Sequence, residues 1–273
     1  MKLHHRFNSV DGNKTKSQSV KFPESLFRMF AVTLLATGIL LATSCQMDKA
    51  SNKDSASETN KSTMTDYITQ TQESQSALSP DDAIAMLKEG NERFVNQKMV
   101  NRDLIKQVKE TGSGQYPFAA VVSCIDSRIP TEIVFDQGVG DIFNARIAGN
   151  FVNEDILGSL EFACKVAGSK AIVVMGHTSC GAVKGAADQV KMGNLTGLLQ
   201  KIEPAIEAVS EGVTDKSSKN SEFVQKIADK NVEMTVNNIT AKSEVLKDMV
   251  EAGELKIIGA MYDVNTGKVT FTE

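Results

Sequence analysis

Ala119-Ala-Val-Val-Ser-Cys-Ile-Asp-Ser-Arg128 decides how this chain of 273 residues folds. Its first half is small, apolar and β-branched, with no polar alternation. A second run of the same kind, Ala171-Ile-Val-Val-Met-Gly176, leads into His177-Thr-Ser-Cys180. Short apolar runs between helix-like segments are the pattern of parallel strands covered on both faces. In an open α/β sheet, function collects at the carboxyl ends of the strands, where chain order reverses. As neighbours, these two strands bring Cys124, His177 and Cys180 to one point. Two thiolates and an imidazole are three ligands of a tetrahedral zinc, with a fourth position left open.

The flanking sequence supplies the rest of the sheet. Ser79-Pro-Asp-Asp82 starts a helix, with Ser as N-cap, Pro at the first position and acids in the first turn. Its apolar spacing (Ala83, Ile84, Leu87, Phe94) continues past an expected break at Gly90. Arg102 to Glu110 reads as a second short helix and Pro130 to Phe135 as a helical turn. Asp141 to Arg146 reads as a second strand and Asn153 to Ala167 as a helix. Cys180-Gly181 opens another helix, turning its N–H groups toward the crevice. Residues 194–252 read as helical, interrupted near Pro204 and at 212–220. Leu255 to Asp263 is a fourth strand, and Asn265-Thr-Gly-Lys268 turns the chain into Val269 to Thr272. Right-handed crossovers then predict a three-layer α/β domain. Its mainly parallel sheet has order 2-1-3-4 plus an edge strand, with helices on both faces and the site between strands one and three.

The remaining sequence bounds the chemistry. A net charge of -4 gives no electrostatic reason to expect nucleic acid, and with no Trp and 5% aromatics there is no stacking platform for bases. Residues 1–28 are basic, and Met29 to Ala42 is apolar and uncharged. That run is too short to span a bilayer and suits a signal-peptide core. Leu41-Ala-Thr-Ser-Cys45 resembles a bacterial lipobox. We therefore expect a lipoprotein-type signal peptide over 1–44, lipid on Cys45, and a membrane-anchored protein exported to face the periplasm. Residues 45–78 are Ser, Thr, Asn, Asp, Lys and Gln with few apolar positions, the composition of a disordered tether. The folded domain is expected over 79–273. Of the three His, His4 and His5 fall in the removed segment, so His177 alone remains. Free thiols in an oxidising compartment persist most easily under a metal. Cys164, on the apolar side of its helix, reads as core packing.

Several stretches together resemble the β-class carbonic anhydrases: Gly90 to Phe94 (GNERF), Cys124-x-Asp-Ser-Arg128, Gly140 to Asn150, Gly176-His-Thr-Ser-Cys-Gly181 and Gly259-Ala-Met-Tyr-Asp263. The resemblance implies one zinc per subunit on Cys124, His177 and Cys180. It also implies reversible hydration of carbon dioxide to bicarbonate and a proton through attack of zinc-bound hydroxide. Asp126 and Arg128 are then the catalytic pair. Arg128 grips Asp126 and holds it off the metal, and a released Asp126 would become a fourth ligand in a closed state. By the same resemblance Gln115, Phe143, Ala148, Phe162 and Gly181 bind substrate, with Phe162 in place of the commoner Tyr. Gln115 acts in the neighbouring subunit's site, so the chain is expected as a homodimer or higher even oligomer. Arg146 and Asn150 brace the site. The branch regulated by bicarbonate uses a Trp that this chain lacks. Two rival readings keep the fold: a zinc hydrolase acting on carbon disulfide or carbonyl sulfide, and a non-catalytic zinc-stabilised lipoprotein binding module.

Overall fold

Among residues 68–272, which the computed structural model describes, five strands form one sheet of order β2-β1-β3-β4-β5. The expected signal peptide, Cys45 and the tether as far as residue 67 lie outside the described residues. In chain order, α1 (Gln72–Ala77), α2 (Pro80–Val95) and α3 (Leu104–Glu110) precede β1 (Ala119–Ser123). Then come α4 (Thr131–Val134), β2 (Ile142–Arg146), α5 (Glu154–Glu161) and β3 (Ala171–His177). Four helices follow: α6 (Gly181–Ala187), α7 (Gly193–Leu199), α8 (Glu203–Val209) and α9 (Ser221–Lys242). After them, α10 (Glu244–Glu251), β4 (Lys256–Tyr262) and β5 (Val269–Phe271) close the domain. β1 to β4 are parallel and β5 returns antiparallel to β4, so the expected topology holds.

The two central strands are buried along their whole length, because helices cover both faces. On one face Ala119, Val121, Val173 and Met175 pack against Ala83, Ile84 and Leu87 of α2 and against Val134 and Phe135. On the other, Val122, Ile172 and Val174 meet Leu160 of α5, Val232 and Ile239 of α9, and Leu246 of α10. Each fully buried Val or Ile contributes roughly 1.5–3 kcal/mol relative to exposure. A third apolar cluster sits at the carboxyl ends of the strands. It joins Cys124 and Cys180 to Val183 of α6, Leu199 of α7, Ile202, and Phe223 and Ile227 of α9.

The helix that starts after Ser79 does not break at Gly90. Ser79 caps it with a reciprocal Ser79–Asp82 box, and the helix runs on to Val95. Gly90 is required by close packing instead: a Cβ there would lie 1.8 Å from the Phe135 carbonyl oxygen. The helix expected from Arg102 begins at Leu104, because Asp103 is its N-cap. The segment 153–167 is α-helical to Glu161 and then widens into a π-turn over Phe162–Val166.

The expected tether is wrong over its last residues. Thr71 and Ser74 form a capping box that starts α1, and Gln75 is buried. Its Nε2 donates to the carbonyls of Pro117 and Ala167, each at 2.8 Å. The folded part therefore begins before residue 79. A helix that docks through an amide lacks the apolar stripe by which helices are read from sequence.

Candidate metal centre

β1 and β3 are adjacent at the point where chain order reverses, with β2 beyond β1 and β4 beyond β3. Ser123 pairs with Met175, so Cys124 and His177 leave neighbouring strands within one residue of the same height. Cys180 is brought back by a tight turn in which Ser179 takes φ 56°. A non-glycine residue in the left-handed region costs of order 1 kcal/mol, and here it folds the Cys180 sulfur toward the imidazole. The ligating atoms of Cys124, His177 and Cys180 all lie within 4.8 Å of one another, and all three residues are buried.

The donor set fits a zinc ion. His177 Nδ1 stands 3.0 Å from the Thr178 carbonyl oxygen, so Nδ1 carries the proton and donates it there. Thr178 is itself fixed, since its N–H donates to the Tyr262 carbonyl at 2.9 Å. The other nitrogen, Nε2, is buried with no hydrogen-bond partner. A buried acceptor without a donor is costly. A lone pair aimed between two sulfurs is what a cation at that point would use. The two thiols also interact: Cys180 donates to Cys124, which holds Cys124 below the ordinary thiol range, while the same contact and burial push Cys180 up. The contact thus favours the thiolate at Cys124 and the thiol at Cys180. The apolar cluster behind both sulfurs keeps the centre dry, which strengthens its electrostatics.

Asp126 stands at the mouth. Arg128 grips it through Nε at 2.9 Å, Nη2 at 2.7 Å and its backbone N–H at 3.0 Å. These bonds from Arg128 hold the Asp126 carboxyl well below the usual range. Asp126 Oδ2 lies 3.9 Å from His177 Nε2, so its carboxylate borders the point the ligands share. Arg146 braces the loop, its Nε donating to the Cys124 carbonyl at 3.0 Å and its Nη2 to the Asp126 carbonyl at 2.7 Å. Tyr262 Oη donates to the Arg128 carbonyl at 3.4 Å.

The expected substrate residues divide into two groups. Ala148 and Gly181 adjoin the ligands. Ala148 precedes Gly149, whose N–H donates to the Cys124 sulfur at 3.5 Å, and Gly181 is the exposed first residue of α6. Gln115, Phe143 and Phe162 do not join them within one chain. Gln115 is exposed and lies before the amino end of β1. Phe143 pairs with Ala120, four residues short of Cys124, about 13 Å down the strand. Phe143 and Phe162 pack edge to face with centroids 6.2 Å apart and line a separate apolar cleft with Ala120, Gly158 and Leu160. The sequence reading missed two contributors, the Gly149 N–H and Asn231 of α9, whose Nδ2 donates to the Gly149 carbonyl at 2.8 Å. A backbone donor leaves no mark in composition, and one Asn in a helix carries no motif. Cys164 is buried and free, and burial alone pushes its thiol up to about 12, as a core residue requires.

The sheet order, the crevice between β1 and β3 and the thiol–imidazole group define a zinc-lyase architecture that known proteins share. The carbonic anhydrase family model matches residues 119–269. Carbonic anhydrase 2 of Mycobacterium tuberculosis is 35% identical over 198 residues, covering 71% of this chain and 94% of that protein. A carbonic anhydrase of Mycolicibacterium smegmatis is 34% identical over 193 residues, covering 70% and 92%. Among solved structures, the β-carbonic anhydrase CafA of Aspergillus fumigatus superposes with a TM-score of 0.56 at 28% identity, covering 71% of this chain and 90% of that one. A tetrameric β-carbonic anhydrase of Sordaria macrospora gives 0.55 at 25% identity, covering 60% and 84%. The chain belongs to the β-class carbonic anhydrase family.

Proposed function

We propose that this chain catalyses the reversible hydration of carbon dioxide, with one zinc ion per chain held by Cys124, His177 and Cys180. The observation that carries the reading is the buried His177 Nε2, without a hydrogen-bond partner, beside the two sulfurs of Cys124 and Cys180. A bound zinc supplies the Lewis acidity that makes a water molecule nucleophilic near neutral pH. The chain's own residues do the rest. The Thr178 carbonyl keeps the His177 proton on Nδ1. Asp126 accepts a hydrogen bond from the attacking water and directs its lone pair at the substrate carbon. Arg128 occupies both Asp126 oxygens and keeps that carboxylate from swinging inward. Water and carbon dioxide give bicarbonate and one proton. His177 is committed as a ligand and is the single His among the described residues, so solvent and buffer carry that proton away.

Gln115, Phe143 and Phe162 can serve such a site only across a contact between chains, because each lies away from its own chain's ligands. This supports a homo-oligomer in which one copy's residues complete its neighbour's substrate pocket. Export and lipid attachment at Cys45 rest on the sequence of residues 29–45. Among the described residues no helix is long and apolar enough to cross a membrane.

The test is Asp126→Asn. Carbon dioxide hydration measured by stopped flow should fall by about 100-fold or more, the scale of a lost proton-handling group, while zinc content stays at the wild-type level. Unchanged turnover in the variant would remove Asp126 from the chemistry, and a wild-type chain that holds zinc without hydrating carbon dioxide would favour a zinc-stabilised binding module.

A further inference from the structure

Gly149 uses both sides of its backbone. Its N–H donates to the Cys124 sulfur at 3.5 Å, and its carbonyl accepts from Asn231 Nδ2 at 2.8 Å. Asn231 lies mid-way along α9 and is 4% exposed, among Ile227, Ala228 and Val232, which are apolar and buried. A primary amide in such surroundings is tolerated only when it is bonded, and the bond it makes is to the residue that touches the thiolate. Gly149 has φ +83°, and a Cβ there would lie 2.7 Å from Ile202 Cδ1. The next residue, Asn150, is also left-handed at φ 43°. Two consecutive residues in this region make a turn that local backbone preference does not favour. The helix amide fixes its outer peptide.

We propose that Asn231 is a positioning residue for the metal centre: it holds Gly149 so that the Gly149 N–H stays on the Cys124 sulfur and limits the charge which that sulfur donates to a bound cation. The inference rests on Cys124, His177 and Cys180 being the zinc ligands. A hydrogen bond to a thiolate draws electron density away from sulfur, which leaves the bound cation more electrophilic. Without the Asn231 amide, the Gly149 carbonyl loses its buried partner and the turn relaxes. The N–H then leaves the sulfur, which becomes the stronger electron donor.

The experiment loads the full chain with cobalt(II) in place of zinc and records the sulfur-to-metal charge-transfer absorption. Asn231→Leu should move that band to longer wavelength, as a more electron-rich sulfur requires. Thr235→Val is the control. Thr235 is buried one turn further along the same helix, and its loss should leave the band in place even where stability falls. If Asn231→Leu does not fold, Asn231→Ser, which shortens the side chain and removes the amide, is read in the same way. An unmoved band in the Asn231 variant, or an equal movement in Thr235→Val, overturns the inference. A wild-type chain that takes up neither ion overturns the zinc reading beneath it, and this outcome is distinguishable because it precedes any variant.

Discussion

One backbone carbonyl decides what His177 can do. By accepting from Nδ1, Thr178 leaves Nε2 as the free lone pair, and the imidazole becomes a neutral ligand. The sulfurs show the same economy, since one donates its proton toward the other. The sign of the pH dependence follows. Cys124 is lowered and Cys180 raised, so between those two titrations the metal-free protein carries one thiolate and one thiol. Zinc needs both as thiolates, so uptake must expel the Cys180 proton. We predict that calorimetry at pH 8 in buffers of different ionisation enthalpy gives one proton released per zinc. In this range affinity should rise about tenfold per pH unit. Release of two protons, or of none, would contradict the shared-proton pair. The three ligands were legible in the sequence because they follow two apolar runs. Asp126 and Arg128 were legible because they lie two and four residues from a ligand. Gly149 and Asn231 were not, since contact between α9 and a turn 82 residues away is a property of the folded chain alone.

The strands were readable because burial on both faces removes polar residues and leaves Val and Ile in unbroken runs. Capped helices were nearly as plain. The failures are helices that do not announce themselves by an apolar stripe. Gly90 looked like a break and is a point of close approach to Phe135. α1 looked like tether because the side chain that docks it is an amide. That docking gives a prediction about stability. Gln75→Leu in the full chain leaves the Ala167 carbonyl without its donor and removes one of the two donors to Pro117, which Ser169 also serves. The cost should be about 1–3 kcal/mol, read as a lower urea midpoint for the domain. An unchanged midpoint is what a disordered tether would give.

At the scale of the molecule, one exposed apolar face among the described residues bears on assembly. Phe162 is 49% exposed and Val166 72% exposed on the π-turn that follows α5. The neighbouring cleft holds the two aromatic residues expected to meet substrate, and β2 is the outermost strand beside it. A second copy covering this face would bury those residues and supply them to another site. Phe162→Glu should therefore lower the sedimentation coefficient from that of an even oligomer to that of a smaller species, and hydration should fall with it. A variant that keeps both wild-type size and wild-type rate would remove Phe162 from the contact and from the pocket.

The central claim is that three side chains, delivered by two neighbouring strands and one turn, hold the zinc on which turnover depends. Zinc content and carbon dioxide hydration, measured together on the wild-type chain and on Cys180→Ser, test it most directly. The account predicts about one zinc per chain with turnover in the wild type, and loss of both in the variant. A variant that retained full turnover without its metal would contradict it.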